Sequence, residues 1–169
     1  MNNLERVFIA LGSNLGVRAE NLKNARAMLQ RISLGGWKES RIYETSPLGE
    51  PRQANYLNQV VSFWYAKGAK SLLYYLKGTE LLLGRKPRVH WDSREIDLDL
   101  LYYGQKIIAE KFSVPHKEIK NRQFVLEPLN DLDPDFIDPS SLLSVRQMLL
   151  ALKAQEGTAS FKIVSGKEL

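Results

Sequence analysis

Asp97 and Asp99 stand two positions apart in the segment IDLDLLYY, residues 96–103, where apolar and acidic residues alternate. Alternation of that period predicts a β-strand, so both carboxylates leave one face while Ile96, Leu98 and Leu100 turn toward the core. Their Cα atoms would then lie roughly 6.5–7 Å apart. Two carboxylates so close repel each other unless a cation stands between them. Magnesium suits the pair, because it takes hard oxygen ligands, few of them from protein, with a phosphate-bearing substrate completing its shell. A bare D-x-D also fits an exposed acidic strand face.

The residues just upstream favour the metal. Arg85, Lys86, Arg88, His90 and Arg94 crowd the loop before the aspartates. Cations beside a carboxylate pair are what phosphoryl transfer requires: they offset charge on a phosphate chain that metal ions orient for in-line attack. Arginine serves well here, since its planar fork binds phosphate through two donors. A solvated loop balancing nearby acids is the plainer alternative. There is no Walker A sequence, because GSNLG lacks its Lys and spacing. Gly12, Asn14 and Gly16 suit a loop that approaches a ligand, or a plain turn.

A third group could hold a flat ring. Tyr56 and Asn58 are two apart on another β-prone run, hence on one face. The ring can stack on a heterocycle, and the Asn amide offers both donor and acceptor to its edge. Phe124 could close such a sandwich, and Trp91 could stack on a base. Each of these also suits a core position. His116, followed by Lys117, Lys120 and Arg122, suits a phosphate contact or a turn cap.

The elements that must position these groups follow from periodicity. Strands are expected at 6–11, 37–45, 56–66 and 96–103. A helix is expected over 18–32, with Leu22, Ala25, Leu29 and Ile32 on one face, and another through Leu72, Leu76 and Leu83, ended by Gly84. Gly104-Gln105 resembles a hairpin turn into 106–108. A short helix is expected within 115–132, a last helix through Val145, Met148, Leu149 and Leu152, and a final strand at 161–164. The order β-α-β-β-α-β with C-terminal additions is the ferredoxin-like α+β order, an antiparallel sheet with helices on one face.

The 169 residues suit a single domain, 1–169, able to bury a core without disulfides. The absence of Cys excludes thiol nucleophiles and Cys-based zinc sites. A net charge of +5 suits an anionic partner. No apolar run approaches the roughly 18–20 residues of a membrane span, and residues 1–14 lack the apolar core of a signal peptide. A cytoplasmic protein that neither enters a membrane nor binds nucleic acid is therefore expected.

Six segments, in order along residues 6 to 135, resemble the 6-hydroxymethyl-7,8-dihydropterin pyrophosphokinase family. They are ALGSNLG ending at Gly16, YETSPLG from Tyr43, NYLNQVV around Tyr56 and Asn58, GTELLLGR ending at Arg85, R-x-IDLDLLYYG from Arg94, and VPHKEIKNRQFVLEPL from Val114. The resemblance implies transfer of the β,γ-diphosphate of ATP to a pterin hydroxymethyl oxygen, by a monomer with a ferredoxin-like fold. It implies two magnesium ions held by Asp97 and Asp99, with Arg85 and Arg94 on the transferring phosphates. The pterin would lie between Tyr56 and Phe124, its polar edge read by Asn58, Thr45, Ser46 and Leu48. ATP would meet Lys77, Glu80, Arg88, Trp91, Leu100, Lys111, Ser113, His116 and Arg122, with Lys86 competing with Arg88 for the second basic position. Loops 46–55 and 85–93 would close over the substrates. Where relatives often carry W-G-P-R, this chain has Trp91-Asp92-Ser93-Arg94.

Two rivals stand beside this reading. An RNA-binding module would use the same sheet and basic charge, but the aromatic RNP1 pattern is absent. A catalytically silent relative would bind ligands without forming AMP.

Overall fold

Three long segments apolar on both alternating faces, 5–13, 56–65 and 97–103, form the centre of one sheet. The computed structural model describes residues 4–47, 53–86, 93–159 and 161–164. In chain order the elements are β1 (Glu5–Ser13), α1 (Arg18–Gln30), β2 (Lys38–Glu39), β3 (Ile42–Thr45), β4 (Tyr56–Tyr65), α2 (Ala69–Leu82) and β5 (Asp97–Tyr103). They continue with β6 (Ile108–Ala109), β7 (Ser113–Val114), a 3-10 turn (Ile119–Asn121), α3 (Gln123–Leu132), α4 (Val145–Glu156) and β8 (Lys162–Val164). The sheet runs β5-β1-β4-β3-β8 with every pairing antiparallel, and β2 also pairs with β4. This is the ferredoxin-like fold, extended by β8 at one edge.

Both faces of the sheet carry helices. On the first, Val7, Ile9 and Leu11 of β1 and Leu98 and Leu100 of β5 pack against Leu22, Ala25 and Leu29 of α1 and Leu72 and Leu76 of α2. On the second, Phe8, Val60, Leu101 and Tyr102 meet Val125, Leu126 and Leu129 of α3 and Val145, Met148, Leu149 and Leu152 of α4. The expectation of helices on one face is therefore corrected. Large apolar side chains on the second face need cover, and the C-terminal helices supply it. That cover is partial, and its limit positions the site.

Three further expectations change. The strand expected over 37–45 is broken into β2 and β3 at Ser40, whose hydroxyl accepts from the Val60 amide at 3.0 Å. The hairpin expected at 104–108 does not form. Gly104 turns with φ +55, but β6 pairs with β7 instead of β5. Gly12, expected in a loop, lies inside β1 opposite Asn58. The last helix begins as its spacing predicts, and Ser144 and Gln147 cap it reciprocally: the Gln147 amide donates to Ser144 Oγ (3.2 Å) and the Ser144 amide to Gln147 Oε1 (2.9 Å).

Opposite β1, Val7, Phe8 and Ile9 pair with Tyr103, Tyr102 and Leu100, so Leu101 is an extra residue in β5. The bulge puts Leu101 and Tyr102 both in the second core, while Leu100 and Tyr103 stay in the first. The Leu101 carbonyl instead accepts the His116 amide at 3.0 Å, which brings the segment after β7 alongside the aspartates.

One polar contact fastens α3 to the sheet. Asp131 accepts from the Arg41 backbone amide (3.2 Å), from the Arg41 guanidinium (3.1 Å at Nε) and from the Tyr43 hydroxyl (2.9 Å). Tyr43 is buried and Arg41 largely exposed. Asp131→Ala should therefore lower the unfolding free energy by about 2 kcal/mol, because it strands a buried hydroxyl. Arg41→Ala should cost less than about 1 kcal/mol, as exposed ion pairs do. Urea denaturation of both variants checks the difference.

Candidate active site

Beyond Val60, Ala10 and Leu101 the second face is open. There Asp97 pairs with Gly12, which pairs with Asn58, and Asp99 pairs with Ala10, which pairs with Val60. The middle strand thus contributes only Gly12 and Ala10 between the acids and the amide. A Cβ at Gly12 would lie 3.4 Å from Asn58 Oδ1 and 3.8 Å from the Tyr56 ring, so glycine leaves the floor bare. Above this floor opens a cavity of about 1070 Å³, at the upper end of ordinary ligand pockets and large enough for two small molecules.

The acidic wall is set by β5 and α2. Arg85 Nη1 donates to Asp97 Oδ1 and Arg94 Nη1 to Asp97 Oδ2, each at 2.6 Å. Lys77 Nζ stands 3.9 Å from Asp97 and 3.8 Å from Asp99. Burial by itself would raise the Asp97 carboxyl, but Lys77, Arg85 and Arg94 outweigh it and hold it below the usual carboxylate range. Arg85 loses solvation too, yet Asp97 and Glu80 keep its guanidinium above its ordinary value.

Glu80 lies beneath this wall. Its side chain is 4% exposed, and its Oε1 accepts from Lys77 Nζ (2.7 Å) and the Leu98 amide (2.7 Å), while Oε2 pairs with Arg85 (2.5 Å). Lys77 Nζ also donates to the Leu98 carbonyl at 3.0 Å. Two side chains of α2 thereby bond the Leu98 amide and carbonyl at the outer edge of β5, where no further strand pairs among the described residues. Burial pushes the Glu80 carboxyl up, against the pull of Lys77 and the Leu98 amide.

The first turn after β1 ties the segment carrying Arg94 in place. Asn14 is 2% exposed. Its Oδ1 accepts the Arg94 amide (2.7 Å), and its Nδ2 donates to Gln53, the Ala54 carbonyl and Ser93 at 3.2–3.3 Å. Ser13 and Asn21 both donate to the Glu95 carbonyl, at 2.6 and 2.8 Å. The GSN segment is thus a clamp between the C-terminal ends of both expected loops. Only its polar composition hinted at this, since the partners lie about 40 and 80 residues away.

The opposite wall can take a flat ring. Tyr56, Asn58, Thr45, Ser46 and Phe124 all line the cavity. Asn58 Nδ2 donates to Thr45 Oγ1 at 2.8 Å, which fixes the amide's orientation. The Arg122 guanidinium lies 5.7 Å from the centre of the Phe124 ring. A third side is formed by β6, β7 and the segment after them, with Lys111, Ser113, His116 and Arg122 on the cavity surface. His116 Nδ1 accepts the Glu118 amide at 3.3 Å, so the neutral ring carries its proton on Nε2, as a donor.

Of the expected site residues, the structure brings Lys77, Arg85, Arg94, Asp97 and Asp99 to one wall of the cavity and Thr45, Ser46, Tyr56, Asn58 and Phe124 to another. Two lie deeper: Leu100 is 3% exposed with its side chain in the first core, as strand alternation requires, and Glu80 is buried under the wall. Neither side chain reaches the cavity. Leu48, Arg88 and Trp91 lie outside the described residues, as do Asp92, His90 and much of loops 46–55 and 85–93. Lys117, of the basic stretch after His116, also lines the cavity, as do Phe112, Glu110 and Glu118, which carried no signal in the sequence beyond their polarity or size.

Among the described residues no cluster of three or more metal-ligating side chains occurs. Asp97 and Asp99 place two carboxylates on one face at the cavity wall. That donor set fits magnesium, which is commonly held by one or two carboxylates plus phosphate oxygens and water.

The family model for 7,8-dihydro-6-hydroxymethylpterin-pyrophosphokinase (HPPK) matches residues 8–134. The chain belongs to the HPPK family. A Bacillus subtilis (strain 168) protein named 2-amino-4-hydroxy-6-hydroxymethyldihydropteridine pyrophosphokinase is 40% identical over 134 residues, 78% of this chain and 79% of that protein. The mitochondrial folate synthesis bifunctional protein of Arabidopsis thaliana is 38% identical over 133 residues, 78% of this chain but 24% of that protein. The chain spans 19% to 27% of the length of such plant and Pneumocystis relatives. Among solved structures, wild-type Plasmodium falciparum HPPK-DHPS with pteroate superposes with a TM-score of 0.73 at 15% identity, covering 94% of this chain and 45% of that one. That likeness speaks for the fold. No described helix is long and apolar enough to cross a membrane.

The ion pairs predict a pH response. With its folded pKa depressed, Asp97 adds stability that is present above its unfolded pKa and lost as pH falls through the folded value. Asp97→Asn should therefore flatten the loss of stability below about pH 4. Urea titrations at pH 7 and pH 3 on both proteins measure it. An equally steep loss in the variant would contradict the assignment.

Proposed function

We propose that this HPPK-family chain uses ATP and magnesium to transfer diphosphate to the hydroxymethyl oxygen of 6-hydroxymethyl-7,8-dihydropterin, releasing AMP, in folate synthesis. One observation carries the reading: the carboxylate pair with its guanidinium partners and the Tyr56–Asn58–Phe124 wall share one cavity. The name of the Bacillus subtilis relative supports it. A single domain acting as a monomer is part of the same proposal.

Asp97 and Asp99 would hold magnesium. Bound there, the metal would offset phosphate charge and align the chain for in-line transfer. The pterin ring would stack between Tyr56 and Phe124, its edge reaching Asn58 and Thr45, with the hydroxymethyl group directed along the floor of Gly12 and Ala10 toward the acidic wall. Its oxygen would bond to the β-phosphorus of ATP as the bond from that phosphorus to the α,β-bridging oxygen breaks. The leaving oxygen departs with AMP, and the hydroxyl proton goes to water. Asp97 is held charged below the usual carboxylate range, which makes it a weak base, and with Arg85 and Arg94 each on one oxygen it keeps a further lone pair on both for the metal. Rate enhancement would come from positioning and from cations where charge gathers. Lys111, Arg122 and the His116 Nε2 donor would steady the nucleotide.

AMP formation from ATP with the hydroxymethyl dihydropterin, dependent on magnesium, is the direct test. No AMP above a pterin-free control would refute the proposal. Asp97→Ala and Asp99→Ala should each nearly abolish turnover. Arg85→Ala and Arg94→Ala should slow it by roughly 10²–10³-fold, comparable to loss of a transition-state donor, with circular dichroism unchanged.

A further inference from the structure

The cations on the acidic wall are not equivalent. Arg85 and Arg94 each bond one oxygen of Asp97 directly. Lys77 does something else. Its ammonium is fixed by Glu80 at 2.7 Å and by the Leu98 carbonyl at 3.0 Å. Those two bonds hold it at nearly equal distance from both aspartates, 3.9 Å from Asp97 and 3.8 Å from Asp99. Among the described residues it is the one cation within 4 Å of both carboxylates of the pair. Among the described residues of this wall, Glu80, Asp97 and Asp99 face Lys77, Arg85 and Arg94, three charges of each sign.

A wall already balanced has little attraction left for a bare divalent cation. A nucleotide changes that, because its phosphate chain brings several negative charges against the same wall. We propose that the Lys77 ammonium stands in for the divalent cation between Asp97 and Asp99, so that metal enters together with a phosphate chain instead of alone. The inference rests on the metal reading above and adds an order of loading to it. Lys77 is half-exposed on the cavity side, so its ammonium can turn toward a phosphate while its stem stays on α2.

The test is calorimetric titration of the full chain with Mn2+ as the probe, with and without a non-hydrolysable ATP analogue. Without nucleotide, Lys77→Gln should bind Mn2+ about tenfold more tightly than the wild type, the scale expected on removing one partly screened charge at this distance. The amide can still bond Glu80 and the Leu98 carbonyl, and a melting curve checks the fold; Lys77→Met is read the same way if the first variant melts too low. Lys77→Arg, which keeps the charge, should bind as the wild type does. With the analogue present, the gap between Lys77→Gln and wild type should narrow. Equal or weaker Mn2+ affinity in Lys77→Gln without nucleotide would overturn the proposal, and if Asp99→Asn then still abolishes Mn2+ binding with the analogue, the metal reading survives it. No Mn2+ binding by the wild type even with the analogue would remove both.

Discussion

A carboxylate drawn out of water into a cleft keeps its charge only where cations are fixed around it to offset the lost solvation. Asp97 meets that condition through two guanidinium groups at hydrogen-bond distance and an ammonium further out. Much of the molecule serves to keep those three cations in register. The Asn14 and Ser13 clamp holds the backbone from Ser93 to Glu95, and so the reach of Arg94. The end of α2 delivers Lys77 and Arg85, and Glu80 beneath them joins both to the edge of β5. Removing the protein's own charges from this wall would leave acids repelling one another in a low-dielectric cleft.

The second face of the sheet is divided by side-chain size. Phe8, Tyr102, Leu101 and Val60 demand burial and receive α3 and α4. Gly12, Ala10 and Asn58 demand none, and there the face stays open. The helices that complete the core also build the site, since α3 carries Phe124 to the cavity while Val125, Leu126 and Leu129 pack inward. Stability and access are thus neighbouring parts of one surface. The Asp131 contact to Arg41 and Tyr43 fixes how far α3 reaches over it.

Much of this was legible in the chain because short-range period reports it directly. The alternation in 96–103 placed Asp97 and Asp99 on one face, and Val145, Met148, Leu149 and Leu152 announced the buried stripe of α4. The failures share a cause. β6 and β7 are two residues each and hold no period to read. The place of Glu80 beneath the wall was equally hidden, because it is set by Lys77 on the same helix and a backbone amide 18 residues on. The bulge at Leu101 depends on matching two strands, and one strand alone carries no trace of it.

By itself the sequence determined the strand and helix periods, the spacing of the acids, and a supply of cations and aromatics near them, since each is a property of neighbours along the chain. Only the tertiary structure decided that Tyr56 and Phe124 share a cavity with Asp97, that Glu80 lies under the wall, and that Lys77 stands between two aspartates. Those relations join residues from separate elements. They exist only once the hydrophobic faces have chosen their partners.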